Sequence, residues 1–143
     1  MKRTVWVAMI ILVISAVLLS ACGGGGGSAT ERQDPPAEYA GIANPFEGDA
    51  DAATQGQQLF TSNCASCHGN EAAGDGAAGA SLDPKPANLQ ATAKETDPAY
   101  QHWVIAKGGT AAGLSPSMPA YEGILTDEDI WRIVTYLEGT YGQ

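Results

Sequence analysis

The feature that most constrains this chain is a five-residue stretch, Cys64-Ala65-Ser66-Cys67-His68. On a helical turn the positions i, i+3 and i+4 share one face, so both thiols and the imidazole would lie side by side. Two cysteines at this spacing, followed directly by a histidine, form the C-x-x-C-H pattern that attaches haem covalently. The thiols of Cys64 and Cys67 would form thioethers with the two vinyl groups, and His68 would bind the iron. The pattern therefore predicts one covalent haem c.

A zinc site is the alternative use of the same three side chains. A structural zinc ion needs four ligands, and the fourth would have to come from His102 or from an acidic residue. Adjacent cysteine and histidine ligands are also an unusual geometry for zinc. The spacing therefore favours haem.

The N-terminus has the pattern of an export signal. Two basic residues precede an apolar run over residues 5–19, which is short for a membrane span and typical of a signal peptide. Leu19-Ser20-Ala21-Cys22 resembles the bacterial lipoprotein signal. We expect a signal peptide at 1–21 and a lipidated Cys22 as the mature N-terminus. The alternatives are an ordinary signal peptide cut near Ala21 and an uncut helical anchor.

The cysteine count agrees with these assignments. The chain has three cysteines. With Cys22 assigned to lipid, and Cys64 and Cys67 to haem, none remains for a disulfide. Export also fits, since c-type haem is attached outside the cytoplasm in bacteria. We expect the protein on the outer, periplasmic face of the bacterial cytoplasmic membrane, held there by its lipid.

Residues 22–49 are predicted to form a flexible tether. Five consecutive glycines are followed by prolines and charged residues without apolar periodicity. A flexible coil of this length has a root-mean-square span of about 30 Å. The alternative is an ordered arm, in which Tyr39, Ile42 and Phe46 pack onto the domain expected over 50–143.

The helix signals within 50–143 predict an all-α domain. One helix is expected over 51–62. A second begins at Asp97-Pro98, with aspartate as N-cap and proline in the first position, and ends at Gly108-Gly109. A third begins at Thr126 with an acidic first turn. Its buried stripe is Ile130, Ile133, Val134 and Leu137.

The charge excludes several classes of partner. The full chain has a net charge of −9, which becomes about −11 when the two basic residues of the signal segment are removed. Such a surface does not bind nucleic acid, whose phosphates need basic contacts, and does not adhere electrostatically to anionic lipid. It fits docking onto a positively charged redox partner. An acidic surface that serves only solubility explains the charge equally well.

Met118 is the candidate for the second axial iron ligand. It is the only methionine after the signal segment, and it lies in a loop before Pro119. A thioether is a soft, neutral ligand that favours ferrous iron and raises the potential. A methionine that only fills the core is the alternative, and His102 is the rival ligand. We expect His68 to donate its Nδ1–H to a backbone carbonyl, and Pro84 or Pro86 lies in a suitable segment.

From about residue 50 to the C-terminus the sequence resembles a class I cytochrome c. Gly56 and Phe60 precede the haem motif by eight and four residues, at the spacing of that family. Met118-Pro119-Ala120-Tyr121 resembles its distal loop, and residues 125–137 resemble its last helix. The resemblance implies the cytochrome c fold, a small helical domain wrapped around one haem.

The same resemblance implies contacts and a function. The first and last helices would cross at Gly56, with Phe60, Ile133 and Tyr136 at the crossing. Two filled axial positions would leave no site for a small-molecule substrate, so an electron carrier is expected and not an enzyme. It would be membrane-tethered and would carry single electrons between respiratory or photosynthetic complexes. The alternatives are a fixed subunit of a quinol-oxidising or oxidase complex, and a haem-based sensor or enzyme.

Overall fold

The computed structural model describes residues 32–143, so the signal segment, Cys22 and the glycine run lie outside the described residues. The helices are α1 (Ala50–Asn63), α2 (Ala65–His68), α3 (Leu89–Glu95), α4 (Pro98–Lys107) and α5 (Asp127–Tyr141), with a 3-10 turn at Ala77–Gly79. Over this range the only β-type pairing is an isolated bridge between Glu122 and Leu125. The all-α prediction is confirmed. Among the helices described, none is long and apolar enough to cross a membrane.

Side chains at the N-termini fix where α4 and α5 begin. Asp97 accepts a hydrogen bond from the backbone N–H of Tyr100, and proline occupies the first position of α4. Thr126 and Asp129 form a capping box at the start of α5. Each bond satisfies a backbone donor that has no partner within the helix. Both helices therefore begin where the sequence predicts, and α1 extends the predicted 51–62 by one residue at each end.

The centre of the fold is the crossing of α1 and α5. Gly56 lies so close to α5 that a methyl group on it would overlap the carbonyl of Arg132. Beside this contact the rings of Phe60 and Tyr136 pack with their centroids 5.5 Å apart. Ile133 is buried next to them. The crossing implied by the resemblance is confirmed at the residues named for it.

Residues 32–49 form an ordered arm that lies along the helices. Asn44 Nδ2 donates a hydrogen bond of 3.0 Å to Thr135 Oγ1, and the Arg132 guanidinium lies 4.7 Å from the ring centroid of Phe46. Three side chains of the arm are partly buried against the core: Tyr39, Ile42 and Phe46. Burial of these apolar groups offsets the entropy lost on ordering the segment. Over residues 32–49 the structure thus has the ordered arm and not the flexible tether, and residues 22–31 of the predicted tether lie outside the described residues.

Candidate haem site

The haem-attachment motif occupies one helical turn. Cys64 is the N-cap of α2, and its carbonyl accepts hydrogen bonds from the backbone N–H of Cys67 at 3.1 Å and of His68 at 2.9 Å. The three side chains line one cavity, and both cysteines are free thiols. This turn places the two thiols and the imidazole on one face, as predicted.

The His68 ring is held by a hydrogen bond to the backbone. Its Nδ1 lies 3.0 Å from the carbonyl oxygen of Ala87. Burial lowers the pKa of His68, and the bond to Ala87 partly offsets that effect. With the proton on Nδ1, the Nε2 lone pair is free to bind a metal. A backbone carbonyl is the partner, as expected, but it belongs to Ala87, the residue after Pro86.

The glycine-rich loop after α2 folds back onto the motif. The backbone N–H of Gly74 donates to the carbonyl of His68 at 2.7 Å, and Gly76 donates to Cys67 at 3.1 Å. Gly74 has a φ of +83°, and a Cβ on it would lie 2.6 Å from the carbonyl oxygen of Pro86. Only glycine combines that backbone conformation with so close an approach. The loop thereby fixes the segment that orients His68.

Met118 lines the same cavity from a different part of the chain. Its carbonyl accepts from the N–H of Gly109 at 3.0 Å, and its own N–H donates to Ser115 at 3.2 Å. Tyr121 donates its hydroxyl proton to the Asn63 carbonyl at 2.8 Å, which ties the loop to the end of α1. The fold therefore brings Met118 to the cavity that also holds the attachment motif. The resemblance marked Tyr121 as part of the loop but assigned it no role.

The cavity suits a large, flat, mostly apolar cofactor. Its volume is about 840 Å³, within the usual range of roughly 300–1,000 Å³ for ligand sites. The lining includes two cations, Arg32 and Lys85, and no acidic residue. Its apolar wall is formed by Phe60, Leu89, Val104, Ile105, Ile133 and Leu137. A porphyrin with two anionic side chains matches such a lining, so the residues fit haem.

The zinc alternative gains no support from the thiols. Burial, and to a lesser extent the neighbouring Cys67, raise the pKa of the Cys64 thiol to about 12. Metal binding and nucleophilic attack both need the thiolate. In the part of the chain that the structure describes, no group of three or more His, Cys, Asp and Glu side chains is arranged to hold a metal ion.

His102, the rival axial ligand, lies away from the cavity. It is only 2% exposed and stacks on Trp131 with ring centroids 4.2 Å apart. Its Nε2 lies 2.9 Å from Oδ1 of Asp127, in a direction that is poor for a hydrogen bond. Burial lowers the pKa of His102, and Asp127 partly offsets that effect. His102 therefore has the contacts of a buried structural residue.

Comparison with known proteins gives one family. The family model described as "Cytochrome C oxidase, cbb3-type, subunit III" matches residues 51–137, which is more than half of the chain. The match includes the C-x-x-C-H motif, Met118 and most of α5. A search of the curated proteins finds no match.

Proposed function

Because this chain belongs to the c-type cytochrome family described as subunit III of cbb3-type cytochrome c oxidase, we propose that it is a membrane-tethered electron carrier with a single haem. Membership implies covalent haem c and haem-based electron transfer. The haem supplies an iron that cycles between the ferrous and ferric states. The observation that carries the proposal is that Cys64, Cys67, His68 and Met118 line one cavity.

Each of these residues has a distinct role in the proposal. Cys64 and Cys67 form the thioethers, which hold the cofactor permanently. His68 binds the iron through Nε2, with its ring fixed by the Ala87 carbonyl. Met118 would supply a second ligand to the iron, and a thioether there would favour the ferrous state. With both His68 and Met118 bound to the iron, no coordination site would remain for a substrate, and the protein would transfer electrons without making or breaking substrate bonds.

A redox titration followed by absorption spectroscopy of the mature holoprotein tests this function. We expect one haem per chain, a six-coordinate low-spin iron in both oxidation states and a single one-electron transition. Ready binding of carbon monoxide by the ferrous protein at neutral pH would contradict the proposal, because it requires an open or labile axial position. That outcome would favour a haem-based sensor or enzyme.

The proposed tether is short and begins beside the cavity. Arg32 is the first described residue of the arm, and it lines the cavity. Nine residues lie between Cys22 and Arg32, and the ten Cα–Cα steps that join the two span at most about 35 Å. A lipid on Cys22 would therefore keep the haem near the outer surface of the bacterial cytoplasmic membrane. Partners with basic docking surfaces, such as quinol-oxidising complexes, oxidases or reaction centres, suit this position and the acidic surface.

Cys22→Ser should release the holoprotein from the membrane. The substitution removes the thiol that would carry the lipid, and without acyl chains no stable anchor remains. Membrane fractionation, together with mass spectrometry of the N-terminal peptide, measures the effect. Ser28→Ala is the control and should leave the protein in the membrane fraction. An unmodified peptide that begins at Met1 would contradict lipidation, because it would show an uncut anchor.

A fixed subunit of an oxidase complex is the second candidate. The description of the matched family favours it, since that description names a subunit of an oxidase. Purification in mild detergent separates the two functions. Recovery in a stable complex of fixed stoichiometry would support the subunit, and recovery as a free holoprotein would support the mobile carrier.

A further inference from the structure

The cavity lining has a charge opposite to that of the protein. Residues 32–143 contain five Lys and Arg and 15 Asp and Glu. Arg32 and Lys85, two of the five cations, line the cavity, and none of the 15 acids does. In so acidic a chain, this distribution indicates a site that receives an anionic group.

The other three cations are engaged elsewhere. Lys94 donates to the C-terminal carbonyl of Gln143, and Lys107 pairs with Glu122. Arg132 pairs with the two acidic residues one turn before it in α5. Among the described residues, the acidic partner of Arg32 is the exposed Glu95, at a loose 3.7 Å, and exposed pairs of this kind contribute little to stability. Its guanidinium is therefore available to an anion in the cavity.

Arg32 lies against the ring of a buried tyrosine whose hydroxyl has no partner in the described part of the chain. Tyr100 lines the cavity and is 7% exposed, and its hydroxyl has no hydrogen-bond partner among the described residues. The Arg32 guanidinium lies 5.6 Å from the centroid of the Tyr100 ring. Burial raises the pKa of Tyr100, so the phenol stays protonated and keeps its donor. Buried hydroxyls normally have a partner, which indicates that a ligand supplies one here.

We propose that Arg32 and the hydroxyl of Tyr100 hold a propionate of the haem, so that the N-terminal arm completes the haem site. The proposal rests on the haem-binding function proposed above. The propionates are the only ionised substituents of the porphyrin, and the rest of the ring matches the apolar wall. An arginine with a neutral donor beside it is the best protein partner for a partly buried carboxylate. Lys85 is the other cation of the lining, and no side chain next to it in the sequence is among the buried polar groups without a partner in the described part of the chain.

This assignment couples the arm to the iron. Arg32 lies outside the family match, which begins at residue 51. The arm is docked by the bond from Asn44 to Thr135 and by the N–H of Gln33, which donates to the Ala112 carbonyl at 3.3 Å. A fixed positive charge at the cofactor favours ferrous over ferric iron, because the ferrous site carries one positive charge fewer. The arm therefore contributes to the reduction potential.

Spectroelectrochemistry of the holoprotein at pH 7 tests the assignment, with resonance Raman spectra reporting the propionates. Arg32→Gln should lower the midpoint potential and shift the ferric-to-ferrous ratio roughly threefold at a fixed electrode potential. Tyr100→Phe should give a smaller shift of the same sign, and both variants should change the propionate bands. Arg32→Lys should restore most of the potential. The visible spectra should stay those of a six-coordinate haem, since no axial ligand is altered.

Lys94→Gln is the matched control, because it removes one positive charge away from the cavity. It should change neither the potential nor the Raman bands. The inference is overturned if Arg32→Gln behaves like Lys94→Gln, or if Lys85→Gln alone moves the propionate bands. If the wild type is six-coordinate, such results would contradict the assignment of Arg32 to a propionate. They would not contradict the proposed electron-carrier function. A wild type with an open axial position would overturn the proposed function instead.

Discussion

Replacing Met118 with alanine should leave the haem attached but open the iron to external ligands. The thioethers come from Cys64 and Cys67, which the substitution does not touch. Loss of the thioether ligand removes the preference for ferrous iron, so the midpoint potential should fall and the ferric-to-ferrous ratio should rise at least about tenfold at a fixed electrode potential. The ferrous variant should bind carbon monoxide at neutral pH, whereas the wild type should not. Absorption spectra and a redox titration measure both effects.

The loop around Met118 should survive the substitution. The bonds that fix it use the backbone of Met118, which alanine retains. Leu114→Ala is the matched control, since Leu114 lines the cavity on the same loop and carries no ligand atom. It should not bind carbon monoxide. An unchanged spectrum and potential in Met118→Ala would refute the ligand assignment.

Helix boundaries were predictable where one side chain fixes them. Asp97 and Thr126 each satisfy backbone donors within their own first turn, so neighbouring residues alone determine the start of α4 and α5. The helix α3 was not predicted from the sequence. Asn88 caps it in the same manner, and that residue was the available signal. The helix buries only Ala93 completely, so it has no apolar periodicity to reveal it.

The ordered arm could not be chosen over a flexible tether from local sequence. Tyr39 and Phe46 stand among prolines and glycines, and no helical or strand period links them. Their order depends on contacts with α4 and α5 far along the chain. The entropy lost on ordering the arm is offset only when such contacts form. Local sequence does not show the helix surface against which these side chains pack.

The residues of the site also differ in whether local sequence was enough to predict them. Cys64, Cys67 and His68 belong to one turn, so their spacing was enough to bring them together. Met118 was found through the chemistry of its side chain and the resemblance of its loop. Arg32 was missed, because only the docking of the arm brings it to the cavity. The scarcity of cations after the signal segment was the one signal that pointed to it.

Gly56→Ala should destabilise the holoprotein by about 1–3 kcal/mol or more. The added methyl group would overlap the Arg132 carbonyl and reach within 3.0 Å of the Tyr136 Cβ. Relief requires α1 and α5 to move apart, which loosens the packing of Phe60 against Tyr136. The higher helix propensity of alanine offsets only about 1 kcal/mol of this cost. Denaturant unfolding, followed by fluorescence and by the haem absorption, measures the loss.

Gly139→Ala separates the effect of the crossing from the effect of helix propensity. Gly139 lies within α5, and a Cβ on it would meet nothing within 4 Å. Alanine there should raise the free energy of unfolding by roughly 0.5–1 kcal/mol, because it gains propensity without a clash. Opposite signs for the two substitutions would show that close approach of α1 to α5 requires glycine at position 56. A Gly56→Ala protein as stable as the wild type would mean that this crossing does not limit the fold.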